Sequence, residues 1–270
     1  MSLPRTVVRA ARGALAALRS SLTRRSIELG RLAGLPPRTT CQTNILGSSI
    51  ALVDGPSFVS MYNEIFVRQL YEFRPTTDRP LILDCGANVG IATCWFKQRW
   101  PSARVVAFEA DPAIARVLAS NVLSLGLNQV EVVPAAIGGA AGTARFLQKG
   151  TDSGRISGEA EQGAGVEVPV VRLRDYLVDK VDLLKLDVEG AEFEALLDCG
   201  DRLGLVHALF VEYHSFSHRS QELDRMLALL KGCGFRYYVN SAYDFRRRPF
   251  VDRGDNQGMD CQVNIFAYRS

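Results

Sequence analysis

From residue 79 onward, short apolar runs alternate with longer stretches whose apolar residues recur at helical spacing. Leu81–Asp84, Arg104–Glu109, Val130–Ala135, Val181–Asp187 and His207–Tyr213 read as buried strands. Helical stretches follow: one to about Trp100, one from Asp111-Pro112, then Ala191–Leu197 and Ser220–Lys231. Phe235–Asn240 and Cys261–Tyr268 supply the last two strands. Near-continuous apolar strands separated by helices predict an α/β fold, a Rossmann-like, seven-stranded, mostly parallel sheet with helices on both faces. Residues 143–171 interrupt the alternation with a hairpin and a Gly/Ser-rich loop from Gly150 to Gly165, long enough to read as a lid.

The first 78 residues follow a different pattern. Residues 39–59 read as a hairpin with a turn near Asp54-Gly55-Pro56, and Met61–Phe73 as a helix ending before Pro75. Ahead of them, Val8, Ala11, Leu15, Leu18 and Leu22 recur at helical spacing until Leu35-Pro36-Pro37 stops the helix. Three units follow: a basic extension over 1–38, a hairpin-helix segment over 39–78 that covers the cleft, and the main domain over 79–270.

Charge sharpens that division. Residues 1–38 hold eight arginines and one acid, a charge of +7, against −4 for the rest. Such a basic amphipathic helix packs on the body, on a second subunit to give a homodimer, or on an anionic membrane surface as a peripheral contact. An Arg-rich, acid-poor start also fits an organellar transit peptide. The net charge of +3 makes no case for a nucleic-acid partner. Apolar runs fall short of the roughly 20 residues that cross a bilayer. Six cysteines without C-x-x-C spacing read as reduced structural thiols in a cytoplasmic protein.

The sharpest motif is Asp84-Cys85-Gly86-Ala87-Asn88-Val89-Gly90, after the strand Leu81-Ile82-Leu83. It reads D-x-G-x-x-x-G rather than the G-x-G-x-x-G of a dinucleotide turn. Asp84 repels a phosphate and suits the ammonium of an amino-acid ligand. At the end of the second strand, Glu109 is placed to accept from both hydroxyls of a ribose. An amino acid joined to adenosine is S-adenosylmethionine.

Asp84–Gly90, Phe108-Glu109-Ala110-Asp111 and the K-x-D-x-E-G-x-E stretch of Lys185, Asp187, Glu189, Gly190 and Glu192 together resemble the FkbM family of methyltransferases. The similarity covers roughly residues 50–268. It implies a class I, S-adenosylmethionine-dependent fold and O-methylation of a small-molecule or saccharide acceptor, a sugar or a polyketide- or peptide-derived product. It carries the cofactor role to Asp84, Gly86, Ala87, Asn88, Gly90, Glu109, Ala110 and Asp187. By resemblance, Ala136 and Ile137 meet the adenine, and Ser153, beside Asp152, lies near the cofactor.

Asp187 ends the fourth strand where the methyl group should point, suited to orienting the acceptor hydroxyl or taking its proton. Lys185, two residues back on the same side, is suited to a developing alkoxide or to an ion pair with Asp187. Glu212 and His214 end the neighbouring strand and face Asp187, with His214 read as general base or as hydrogen-bonding group. Glu189 and Glu192 open a helix, where acids are favoured by the dipole alone. His207 reads as structural. Asp187, Glu212 and His214, with His218, form an alternative divalent-cation set. Arg246-Arg247-Arg248 beside Tyr243 and Phe245 reads as a grip for a sugar or phosphate, or as a solvated face. Two other readings are a non-catalytic binding protein on the same fold and, against Asp84, a nicotinamide-dependent oxidoreductase.

Overall fold

The computed structural model describes residues 22–148, 154–156, 165–242, 248, 250–251 and 258–269. The repeat over Val8–Leu18, Ser153 and most of the Gly/Ser-rich loop, and the run from Tyr243 to Arg247 lie outside the described residues.

The main sheet assembles from β3 (Leu81–Cys85), β4 (Arg104–Phe108), β5 (Val130–Val133), β10 (Val181–Leu186), β11 (Val206–Phe216), β12 (Arg236–Ser241) and β13 (Met259–Tyr268). Their order is β12-β13-β11-β10-β3-β4-β5. β13 runs antiparallel to both neighbours, and the β11-β10-β3-β4-β5 block is parallel. The chain builds outward from β3 to β5, then returns to lay β10 on the other side of β3. That reversal is the switch point at which a crevice forms beyond the strand ends. The inner strands are apolar on both faces because helices cover both, with α3 (Ile91–Arg99), α4 (Pro112–Ser124), α5 (Glu192–Cys199) and α6 (Leu223–Gly232) as the crossovers.

Several boundaries differ from the sequence expectation, and those near the site have local reasons. Asp54-Gly55-Pro56 is a helix start: the Asp54 carboxylate accepts from Ser57 N at 2.7 Å, and Pro56 sits in the first turn of α2 (Gly55–Tyr62). α2 thus begins six residues before Met61 and passes into a π-helical turn, Asn63–Val67. The hairpin turn lies earlier, between β1 (Cys41–Thr43) and β2 (Ile50–Leu52). The third strand stops at Val133 before Pro134, and β6 (Ala136–Gly138) pairs instead with β9 (Gly165–Arg172). With β7 (Gly142–Gln148) and β8 (Gly154–Ile156) these form a separate sheet, ordered β6-β9-β7-β8.

The described part of the N-terminal segment, from residue 22, packs on the body. A helix over 22–33, α1, sends Leu29 and Leu32 into an apolar cluster with Leu52, Phe58 and Phe96, while Leu22 and Ile27 remain exposed. Asn121 on α4 fastens the hairpin by copying a strand edge: its amide accepts from Ala51 N at 2.8 Å and donates to Ala51 O at 2.9 Å. The same side chain donates to Val89 O at 2.9 Å, so one residue holds both the hairpin and the glycine turn. No helix among the described residues is long and apolar enough to cross a membrane. No disulfide links the described cysteines, and Cys85, Cys94 and Cys199 are buried.

Removing Asn121 orphans one buried donor and two acceptors, so Asn121→Ala should lose about 1–3 kcal/mol in urea unfolding. Proteolytic clipping between residues 39 and 54 should accelerate in parallel, and a loss confined to a few tenths with unchanged clipping would refute the fastening role.

Candidate active site

β3 delivers the chain into the D-x-G-x-x-x-G turn, where the close approach of β10 sets the geometry. At Gly86, φ is +81°, and a Cβ would lie 1.8 Å from the Asp187 carbonyl oxygen. Only glycine permits that approach. Gly86 N and Ala87 N both donate to Phe108 O, at 3.0 and 2.8 Å, which folds the turn over β4. Gly90 lies outside the cavity wall; it caps α3 at φ +92°, and a Cβ there would stand 2.6 Å from Leu118 Cδ1. Its place in the motif is helix-to-helix packing.

A cavity of about 420 Å³ opens at the switch point. Gly86, Ala87, Asn88, Glu109 and Ala110 line one end, and Ala136 and Ile137 stand on its wall with Phe146. Glu109 is 8% exposed, and each carboxylate oxygen takes one backbone donor, Oε2 from Asn88 N at 2.8 Å and Oε1 from Asp111 N at 2.9 Å. Burial raises its pKa to about 7, although the Asp111 and Asn88 amides favour the charged form. Each oxygen keeps a further lone pair. An apolar wall beside a buried, oriented carboxylate is a donor-and-shape set that fits a nucleoside bearing ribose hydroxyls.

Asp84 corrects the sequence expectation. It does not line the cavity and is fully buried, with Oδ2 accepting from Thr93 Oγ1 at 2.7 Å and Oδ1 3.3 Å from Lys185 Nζ. A carboxylate sealed by these two partners has no opening to a ligand ammonium; it neutralises Lys185 instead. Lys185 is 3% exposed, donates to Gly86 O at 2.8 Å and stands 3.5 Å from Asp187 Oδ2. Burial opposes its charge, but Asp84 and Asp187 outweigh that and raise its pKa. The ammonium therefore ties β10 to the turn, the ion-pair alternative, rather than waiting free for an alkoxide.

The other half of the cavity is acidic. Val211 pairs with Leu186, so Glu212 and His214 follow alongside Asp187. His214, 5% exposed, holds Glu192 Oε1 at 2.9 Å through Nδ1, while Nε2 faces Glu189 Oε2 at 3.8 Å, Glu212 Oε1 at 3.9 Å and the Gln262 side-chain amide at 3.2 Å. Burial works against its charge, yet Glu192 and Glu189 prevail and raise the pKa to about 10. A ring whose charged form is favoured by Glu192 and Glu189 supports the hydrogen-bonding reading of His214 over the general-base one. Glu189 and Glu212 are pushed up by burial, with Asp187 adding repulsion to both. Gln262 also donates to Glu212.

Glu192 opens α5, as the sequence indicates, and does more than meet the helix dipole. It is 1% exposed and accepts from Val188 N at 3.2 Å and Gly190 N at 3.0 Å as well as from His214. Glu189 and Glu64 both line the cavity and were not singled out from sequence as site residues. The E-G-x-E spacing carried a signal for Glu189, whereas Glu64 sits in a π-helical turn that no short pattern announces. Asp187, Glu189 and His214 bring a ligand atom each within 4.8 Å of one another, so Glu189 takes the place Glu212 held in the expected cation set. His218 is outside both groups, and Arg248 is exposed and away from the cavity wall.

The His214–Glu192 pair makes a signed prediction. Its contribution is full below about pH 6.5, the ring's ordinary value, and is lost as pH rises through about 10. Wild-type thermal stability should therefore decline across that window. Glu192→Gln should lose about 3–5 kcal/mol near neutral pH and show a shallower decline, measured by calorimetry at each pH.

Comparison with known proteins now bears on this geometry. A family model described as the methyltransferase FkbM domain matches residues 84–237. The chain is 29% identical over 176 residues to methyltransferase sdnD of Sordaria araneosa, covering 50% of this chain and 66% of that relative. It is 25% identical over 226 residues to the 31-O-demethyl-FK506 methyltransferase FkbM of Streptomyces tacrolimicus, covering 70% and 86%. The crystal structure of methyltransferase FkbM from Methylobacillus flagellatus KT superposes with a TM-score of 0.50 at 17% identity, over 77% of this chain and 48% of that one. That likeness concerns the fold alone.

Proposed function

The chain belongs to the FkbM family of S-adenosylmethionine-dependent methyltransferases, and we propose that it methylates a hydroxyl of a sugar or of another polyhydroxylated natural product. The supporting observation is the division of the cavity. One end offers Glu109 and an apolar wall to a nucleoside; the other gathers Asp187, Glu189 and Glu212 where an acceptor would lie. The similarity to an enzyme whose name specifies O-methylation of a natural product supports the hydroxyl.

In this reading Glu109 takes the ribose hydroxyls, the Gly86–Asn88 backbone runs beside the amino-acid portion, and Ala136 and Ile137 flank the adenine. The cofactor supplies an electrophilic methyl group on a sulfonium. Asp187 orients the acceptor hydroxyl and accepts its proton as the oxygen–carbon bond forms and the carbon–sulfur bond breaks, leaving methyl ether and S-adenosylhomocysteine. Lys185 holds Asp187 in place, and His214, kept charged by Glu192, fixes Glu189 and Glu212 at the acceptor end. The acidic surroundings favour the sulfonium and a departing proton alike.

Titration calorimetry with S-adenosylhomocysteine tests the cofactor end. Wild type should bind in the micromolar range. Since the ionised Glu109 is the better acceptor, affinity should fall as pH drops below about 7, approaching tenfold per pH unit. Glu109→Gln should bind at least tenfold more weakly and lose that pH dependence. Absence of wild-type binding would overturn the reading.

For the acceptor end, Asp187→Asn should leave S-adenosylhomocysteine affinity within a few-fold while cutting kcat by about 10²–10⁴, the range for a lost general base. His214→Gln should cost less. The reverse order in single-turnover assays would return the base role to His214.

A further inference from the structure

Among the described residues, the acceptor end has acids on two walls, and its lining cations are already paired with acids. On the strand side stand Asp187, Glu189 and Glu212. Facing them, α2 and the π-helical turn present Ser57, Ser60 and Glu64, spaced to share one helical face. The Glu64 carboxylate has no hydrogen-bond or ion-pair partner among the described residues, although Arg68 lies one turn on. Burial raises its pKa and Asp187 raises it further, as two carboxylates opposed across a cavity must.

The cationic side chains among the described lining residues are Lys185 and His214. Both are shared among several acids: Lys185 by Asp84 and Asp187, and His214 by Glu192, Glu189 and Glu212. Together with Arg68, which draws on Glu64, and a sulfonium, these cations are outnumbered by Asp84, Asp187, Glu189, Glu192, Glu212 and Glu64. A phosphorylated or carboxylated acceptor would meet repulsion from these acids. A ligand with its own positive charge would supply what the wall lacks, and the π turn fixes Glu64 at the rim.

We propose that the acceptor carries a protonated amine as well as the hydroxyl, and that Glu64, opposite Asp187 and Glu189, selects for it. The inference rests on the hydroxyl-methylation reading and adds the charge class of the substrate. It makes Glu64 a specificity-determining residue with no part in cofactor binding.

The test uses three six-carbon polyols that differ in one terminal group: glucamine, an ammonium at neutral pH; sorbitol, neutral; and gluconate, an anion. Each is titrated into full-length protein saturated with S-adenosylhomocysteine, for wild type and Glu64→Gln, with and without magnesium. The expected result is that glucamine binds wild type at least tenfold more tightly than sorbitol and that gluconate does not bind. Glu64→Gln should reduce the glucamine preference at least fivefold and leave S-adenosylhomocysteine affinity unchanged. Affinities within twofold across the three polyols, or the same preference in Glu64→Gln, would overturn the proposal while the methyltransferase reading stands. Stoichiometric magnesium binding that survives Glu64→Gln and abolishes glucamine binding would assign the charge demand to a metal ion, which also overturns it. Failure of S-adenosylhomocysteine itself to bind would sink the underlying reading instead.

Discussion

Everything at the strand ends depends on one buried ammonium. Lys185 leaves β10 with its Nζ 2.8 Å from Gly86 O, 3.3 Å from Asp84 Oδ1 and 3.5 Å from Asp187 Oδ2. A charge so buried survives only because two carboxylates and a carbonyl replace its water. Strand pairing, with Leu186 opposite Cys85 and Asp187 N donating to Cys85 O, brings the ends of β3 and β10 so close that the Gly86 position tolerates no side chain against Asp187. The ammonium bridges the glycine turn, Asp84 and Asp187 at that point. Asp84 reaches the same centre from β3 and is steadied by Thr93 on α3, so the first crossover helix is referenced to it too.

A second, similar device stands one strand away. Glu192 holds His214 with a direct hydrogen bond and gathers two backbone amides of the segment that follows β10. Neither pair is an efficient source of stability, since hydrophobic replacements of buried ion pairs are often neutral or better. What they supply is position: each spends a buried carboxylate to fix a cation, and each cation then orients the acids that face the cavity. Lys185 does so for Asp187, and His214 for Glu189 and Glu212.

The sheet and the cofactor end were legible in the sequence because each rests on local signals. Apolar strands alternate with amphipathic helices, and D-x-G-x-x-x-G with Glu109 occupies two successive strand ends. The role of Asp84 was not legible, because its partners, Thr93 and Lys185, are nine and about a hundred residues away. Glu192 begins a helix, where an acid is expected for the dipole alone, so nothing in its spacing discloses a histidine on the next strand. The α2 start was misread because Asp-Gly-Pro serves equally as a turn and as an N-cap with proline in the first turn; the hairpin pinned by Asn121 decides between them. In the described stretch of α1 the packing residues are Leu29 and Leu32, outside the apolar repeat read from Val8 to Leu22, because the surface they meet is set by α3 and β2.

The two ends of the cavity differ in how their charge is handled, which supports the proposed division between a nucleoside end and an acceptor end. At the nucleoside end a single carboxylate, Glu109, is bonded to two backbone amides, which fix its orientation and leave lone pairs for neutral hydroxyl donors. At the acceptor end several carboxylates share cations already committed to Asp84 and Glu192. Burial and mutual repulsion raise Glu189 and Glu212, so part of that charge is held off by protons until a positive group arrives. A sulfonium methyl group, and any ammonium that accompanies the acceptor, would meet a wall whose electrostatics are set beforehand. Stabilisation that needs no reorganisation at the moment of reaction is the kind a protein scaffold supplies best. Here it follows from two buried pairs whose cations face the cavity's acids and offset only part of their charge.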